Sequence, residues 1–342
     1  MAYISFQPSD YFNTKLYTGT GSAQSISSVG FQPDWVWVKD RDSANSHNLT
    51  DAVRGATKTI FSDATAGEVT DAQRLTSFDS DGFSVGTSTS FNTNTNDYVS
   101  WNWIANGQGS SNTDGSITST VSANTTAGFS IVKYTGTGSN ATIGHGLGVA
   151  PKMIIAKNLG DARSWGVYHA SLGATKGIDL DGTGAAGTAS SYWNDTAPTT
   201  SVFSTGGGNN TGSAFDFIAY CFAEKKGFSK FGSYSSNNNA DGNFIYTGFS
   251  PAFVYIKQTN ASGESSKMYD NKRLGYNVVA NWLEADDSQA EGTGSNQIDI
   301  LSNGFKLRAT NTAINASGGT YIYMCFAESP IVSSNGVPAV AR

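Results

Sequence analysis

The chain has 342 residues and a net charge of −6, and only 14 % of its residues are charged. An acidic balance with no Lys/Arg cluster would repel a phosphate backbone, which disfavours nucleic-acid binding, and no apolar run is long enough to span a bilayer. Glycine is abundant, and Ser, Thr and Asn fill the intervals between short apolar runs, a balance typical of many short strands joined by turns.

The opening Met1-Ala-Tyr-Ile-Ser-Phe6 has neither a basic region nor an apolar stretch, which argues against a secretory signal peptide and for folding in a reducing cytosol. Asn-x-Ser/Thr sequences such as Asn48-Leu-Thr50 and Asn140-Ala-Thr142 are then accidents of composition. Residues 1–14 match nothing later in the chain. They read as a terminal arm, with an anchor docking on a partner as the functional alternative.

From residue 15 onward the chain repeats itself. Three phrases carry the repetition: Phe31-Gln-Pro-Asp-Trp-Val-Trp-Val-Lys39, Val149-Ala-Pro-Lys-Met-Ile-Ile-Ala-Lys157 and Phe249-Ser-Pro-Ala-Phe-Val-Tyr-Ile-Lys257. Each is a short β-branched and aromatic run without helical spacing, so each predicts a buried strand entered through a proline that has no N–H to give to a ladder. A tyrosine precedes each proline at a nearly constant interval, at Tyr17, Tyr134 and Tyr234. Each unit closes alike, in Tyr98-Val-Ser-Trp-Asn-Trp-Ile-Ala105, Phe217-Ile-Ala-Tyr-Cys-Phe-Ala-Glu224 and Tyr321-Ile-Tyr-Met-Cys-Phe-Ala-Glu328. Alternate residues of these closing strands form a large face and a small face, so both faces are expected to be covered. Between phrase and closing strand, Asp81-Gly-Phe83 and Asn303-Gly-Phe305 predict turns that enter strands, a step the middle unit lacks. Only Glu68–Leu75 invites a helix.

These intervals divide the chain into an arm (1–14), a first repeat (15–106), a Gly/Ser/Asn linker (107–126), a second repeat (127–226), a third repeat (227–328) and a tail (329–342). The expected fold is all-β: three tandem β-sandwich, jelly-roll-like repeat domains. A single solenoid is the alternative, although its repeats are usually shorter, roughly 20 to 50 residues. With only Lys225-Lys-Gly227 between them, units two and three are expected to dock more tightly than units one and two. Cys221 and Cys325 fall at equivalent positions of separate units and read as buried, unpaired thiols.

The sequence offers little chemistry. His47, His145 and His169 have no counterparts in the other units and read as surface or turn residues, with no Gly-x-Ser-x-Gly elbow nearby. Without His-x-x-x-His or Cys-x-x-Cys, zinc is not expected. Asp79-Ser-Asp81, Asp179-Leu-Asp181 and Asp286-Asp287 read as turn residues rather than calcium ligands. Thr18-Gly-Thr-Gly21 and Gly206-Gly-Gly-Asn-Asn210 read as hairpin turns, because neither runs into a helix as a phosphate cradle would. Neither catalytic residues, metal nor cofactor is expected, and the chain is read as non-enzymatic. Trp165, Tyr192, Trp193 and Trp282 lie outside the shared strand motifs. They are the candidates for stacking on a glycan, although core packing or an inter-unit contact is the role the sequence favours for them.

The combination of Tyr-Thr-Gly-x-Gly-Ser, Gly-Phe-Gln-Pro-Asp-x-Val-Trp-Val-Lys, Asp51-Ala-Val-Arg-Gly-Ala-Thr-Lys58, Asp81-Gly-Phe83, Ile300-Leu-Ser-Asn-Gly-Phe-Lys-Leu-Arg308 and Asn315-Ala-Ser-Gly-Gly-Thr-Tyr-Ile-Tyr323 resembles an uncharacterised repeat domain. That domain is common in structural proteins of tailed, especially marine, bacteriophages. The resemblance spans residues 15 to 328 and implies a protein of the virion exterior made in the host cytoplasm, most plausibly a tail fibre or tail-associated appendage. Capsid decoration on the phage head and a polysaccharide-degrading tailspike stay open. It further implies other virion proteins as partners through the N-terminal arm, a host surface glycan or receptor, and a homo-oligomer, trimeric as phage fibres usually are, without membrane insertion.

Overall fold

The three proline-led phrases form the strands Trp35–Asp40, Met153–Asn158 and Phe249–Gln258, and every residue in them is buried. They belong to an all-β sandwich architecture of several antiparallel sheets, seen in a computed structural model that describes residues 7–208 and 211–330. Each phrase strand lies between two neighbours. These are Asp97–Trp103 and Asn48–Asp51 for the first, Asp216–Phe222 and Gly166–His169 for the second, and Thr320–Pro330 and Lys267–Asp270 for the third. The opening strands Phe12–Thr18, Phe129–Thr135 and Ser229–Ser235 pair with the far edges of the closing strands, so one strand order recurs three times.

A smaller sheet covers one face of each large one. In the first unit it contains Gln24–Ile26, Gly82–Val85 and Leu75–Asp79; in the second, Ala141–Gly144 and Val202–Thr205; in the third, Phe244–Tyr246, Gly304–Leu307 and Ile298–Leu301. Phe203 pairs with Ile143 as Phe83 pairs with Ile26 and Phe305 with Ile245. The middle unit thus builds this strand without the turn that announces it elsewhere.

The recurring tyrosines tie each large sheet to the segment preceding its closing strand. Tyr17, Tyr134 and Tyr234 stack on Tyr98, Phe217 and Tyr321 at 5.0, 5.3 and 5.0 Å between ring centres. Their hydroxyls donate to the backbone oxygens of Phe91, Thr211 and Ile314 at 2.9, 2.7 and 2.8 Å. A buried aromatic ring with its hydroxyl satisfied fits the site better than Phe or Leu could.

The two faces of the closing strands have different destinations. The small face packs within its own sandwich, as Ala219 and Cys221 do with Phe203 and Trp193. The large face does not. Trp101 and Trp103 of the first unit, Tyr220 and Phe222 of the second, and Met324 and Phe326 of the third share one continuous apolar core. Trp35 stacks on Tyr220 across the first boundary at 4.3 Å, Phe222 meets Phe326 across the second at 5.8 Å, and Phe253 meets Trp101 across the third at 5.5 Å. Burying each of these rings contributes on the order of 2–3 kcal/mol.

The boundaries also follow one pattern. The amide of Glu68 donates to the carbonyl of Leu159, that of Ala186 to Thr259, and that of Glu291 to Arg41, at 2.9, 2.9 and 2.8 Å. The acceptors stand two residues after Lys157, Lys257 and Lys39, so each unit offers the same loop to the same place on the unit before it around the ring. The third unit returns to the first. A head-to-tail contact that closes on itself makes a ring, and here one chain completes it.

Several expectations are corrected. The supposed linker 107–126 contains the strands Ser110–Asn112 and Ser119–Asn124, which extend the second large sheet beside Phe129–Thr135. They are polar because they lie near a solvent-facing edge. Within the arm 1–14, Pro8–Asp10 form a short 3₁₀ turn, and Phe12 begins the first strand and stacks on Phe326 at 5.2 Å. Of the arm 1–14 that carries the anchoring expectation, residues 1–6 lie outside the described residues, as do the tail residues 331–342. Glu68–Leu75 is not helical: Val69–Thr70 is a strand and Leu75 opens another. Units two and three are not the distinctively docked pair, since the same contact recurs at all three boundaries. Both cysteines are unpaired and buried, as the sequence suggests.

Candidate functional site

Most polar groups that draw attention in the sequence are engaged in holding the ring. Asp51, His169 and Asp270 occupy one register position, opposite Trp35, Met153 and Phe253. Each reaches across a boundary. Asp51 accepts from the Tyr220 hydroxyl at 2.8 Å, Asp270 accepts from Trp101 Nε1 at 3.2 Å, and His169 Nε2 lies 3.3 Å from the Tyr323 carbonyl. Arg54 and Arg273 pair with Asp51 and Asp270 at 2.5 and 2.6 Å and also donate to the carbonyls of Leu49 and Met268. The middle unit has Leu172 in place of the arginine, so its His169 sits there without an ionic partner three residues on.

The lysines ending the three phrases are likewise buried. Lys39 donates to the carbonyls of Asp40 and Ser43. Lys157 donates to those of Asn158, Arg163 and, in the preceding unit, Thr65. Lys257 donates to Glu264 and, in the preceding unit, Gly182, with Asp286 at 3.6 Å. Burial pushes the Lys39 and Lys157 ammonium groups down to about 8, against the upward pull of nearby carboxylates. These lysines bind loops rather than a reactant.

The histidines are not at the surface. His47, His145 and His169 are all fully buried. His47 Nδ1 accepts from Trp37 Nε1 at 2.9 Å, while the Nδ1 atoms of His145 and His169 accept from the amides of Leu147 and Ser171 at 3.2 Å. Burial depresses all three, with His169 falling to about 4, so they are neutral imidazoles near pH 7. No nucleophile–base pairing emerges from these contacts.

The proposed glycan-stacking residues are not brought together. Trp165 and Trp193 are buried in two different cores, so neither presents a ring face. Trp165 Nε1 donates to the Phe61 carbonyl of the first unit at 2.8 Å, which makes it a boundary residue. Tyr192 is half-buried, hydrogen-bonded to Asp179 at 3.0 Å, and borders a cleft of ≈ 180 Å³ with Gly177 and Gly187. Trp282 is also half-buried, its ring close against Gly292 with Lys267 Nζ 5.2 Å from its ring centre.

The carboxylates considered for calcium serve local structure. Asp79 accepts from Ser77 and Ser84, Asp81 from the amides of Ser28 and Gly30, Asp181 from the amide of Trp165, and Asp286 from Ser266. Among the described residues, no three His, Cys, Asp or Glu side chains are grouped as a metal would require.

One exposed surface has no motif in the sequence to mark it. Phe244 and Tyr246 point outward from the edge strand of the third unit's small sheet, 45 and 57 % exposed. Across the strand pair, Lys306 faces Phe244 and forms an ion pair with Asp241. On the next strand Asp299 pairs with Arg308 at 2.7 Å. At the far margin Asn277 bonds both backbone groups of Ile300, and its neighbour Tyr276 is 64 % exposed. The alternation of Phe244, Ile245 and Tyr246 was the available signal, since an apolar residue on both sides of a half-buried strand leaves one face unaccounted for.

No curated protein sequence matches the chain. A family model described as a domain of unknown function (DUF7483) matches residues 7–330, a span that takes in all three units and their shared core. The chain belongs to that family.

Proposed function

We propose that this protein is a non-enzymatic structural component of a tailed-bacteriophage virion, a tail fibre or tail-associated appendage that takes part in host attachment. The closed ring supports this reading. Three equivalent head-to-tail contacts give one chain the outline of a threefold module, suited to mounting on a threefold axis of a particle. In this reading the threefold arrangement that the resemblance led one to expect of a homotrimer is met within a single copy. Phe12 and Phe326 stack near the two ends of the described chain, so it enters and leaves at neighbouring places. In this reading that place is where other virion proteins attach, and surfaces away from it meet the host.

Labelled antibody on purified particles tests the proposal. A few to tens of copies at the tail is the expected result, and absence from the particle would overturn it. The same threefold outline suits a head lattice, so hundreds of copies over the capsid would favour the decorating role instead. Release of oligosaccharides from host envelope glycans by the purified chain would replace the non-enzymatic reading with that of a degrading spike.

A further inference from the structure

We infer that the outward face of the third unit's small sheet is a saccharide-binding platform formed by Phe244, Tyr246 and Tyr276. The inference rests on the attachment reading and names its contact surface. The internal repeats provide the control. Positions equivalent to Phe244 and Tyr246 hold Ser25 and Ser27 in the first unit and Thr142 and Gly144 in the second, on strands with the same pairing. The inward residue between them is Ile26, Ile143 or Ile245 in every case, so the scaffold fixes the isoleucine and leaves its neighbours free. Only the third unit exposes aromatic rings there.

The surroundings decide the kind of occupant. Lys306 with Asp241 and Arg308 with Asp299 are two balanced ion pairs, so the face offers donors and acceptors without a net charge for an ionic ligand. Aromatic faces meeting the apolar side of a ring, beside groups that bond its hydroxyls, match an uncharged polyol. Phe244 and Tyr246 stand on one edge strand and Tyr276 follows the opposite edge, with two strands between them, a width of roughly 10–15 Å at about 4.8 Å per strand. That width suits several linked sugars better than one.

The test uses the full chain and a panel of immobilised neutral hexose oligosaccharides six residues long. The parent protein is expected to be retained by at least one member. Phe244→Ala with Tyr246→Ala should weaken that binding about tenfold or more while the melting curve stays unchanged, since both side chains are exposed. Ser25→Ala with Ser27→Ala, the equivalent pair in the first unit, should change nothing. No binding by the parent, or equal binding by the aromatic double variant, would overturn the platform. If that variant still adheres to host cells as the parent does, the platform fails while attachment stands; if the parent does not adhere at all, attachment itself fails. Loss of incorporation into particles without any sugar binding would make the face a protein-docking surface and refute the inference.

Discussion

The Tyr220 hydroxyl donates a 2.8 Å hydrogen bond to Oδ2 of Asp51, a residue of another unit, in the same buried place where Arg54 forms its ion pair. Replacing Asp51 by Ala removes the nearer of the two carboxylates that pair with the buried Arg54, leaving Glu68 at 3.3 Å, and costs about 3 kcal/mol. Tyr220→Phe removes one bond to a charged acceptor and costs about 1.5–3 kcal/mol. Denaturant unfolding of both single variants and the double should show coupling, the double costing less than the sum. Strict additivity would mean that the two residues do not meet.

The shared core bears on cooperativity. Trp35 packs on Trp103 of its own unit and on Phe129, Tyr220 and Phe222 of the second. Trp35→Ala should cost about 3–5 kcal/mol. Calorimetry of parent and variant should show one transition in each, shifted as a whole. Three separate transitions, with only one displaced, would show that the units hold independent cores.

Acid should loosen the ring through its histidines. His169 is held neutral in the folded chain down to about 4, against an ordinary value of 6.5. Below pH 6.5 the unfolded chain takes up a proton that the folded chain refuses, so stability falls as pH drops from 6.5 towards 4. The full effect of this residue is up to about 3 kcal/mol. In His169→Gln the slope of stability against pH over that window should flatten, and an unchanged slope would place the titration elsewhere.

Mild alkali should act in the opposite direction. Lys39 and Lys157 lose their protons at about 8 when folded, below the ordinary 10.5. Between pH 8 and 10 the unfolded chain therefore binds more protons, and stability rises with pH. Above pH 10 the buried hydroxyls of Tyr17, Tyr134, Tyr220 and Tyr234, which burial holds protonated, reverse the trend. Melting temperatures from pH 7 to 11 should pass through a maximum near 10, and Lys157→Met should lower the rising limb.

The sequence revealed the strands that repeat by side chain. Tyr17, Tyr134 and Tyr234 mark them because each needs a hydroxyl and a ring at one spot. It hid the closure of the ring, because Glu68, Ala186 and Glu291 make their contact through backbone amides and need no common side chain. For Trp165 and Trp193 it left a glycan site beside core packing or an inter-unit contact, and the structure gives them the latter, since a tryptophan outside a shared motif can still fill a core or a boundary. His47 and His145 read as turn residues from their polar or glycine-rich neighbours, yet the loops carrying them are packed inside. Phe244 and Tyr246 betray their exposed face in the sequence by having no aromatic counterparts in the other units, which hold Ser25 and Ser27 or Thr142 and Gly144 there.

Closing the ring within one chain frees each unit from its sisters. In an assembly of identical subunits, a substitution is imposed at every related position at once. Fusion lifts that constraint: the middle unit exchanges the Asp–Arg pair for His169 and Leu172, and the third alone gains Phe244 and Tyr246, while the loop contacts around the ring are kept. A symmetric frame can thus acquire a single specialised side, and selection can alter that side without paying for two unwanted copies.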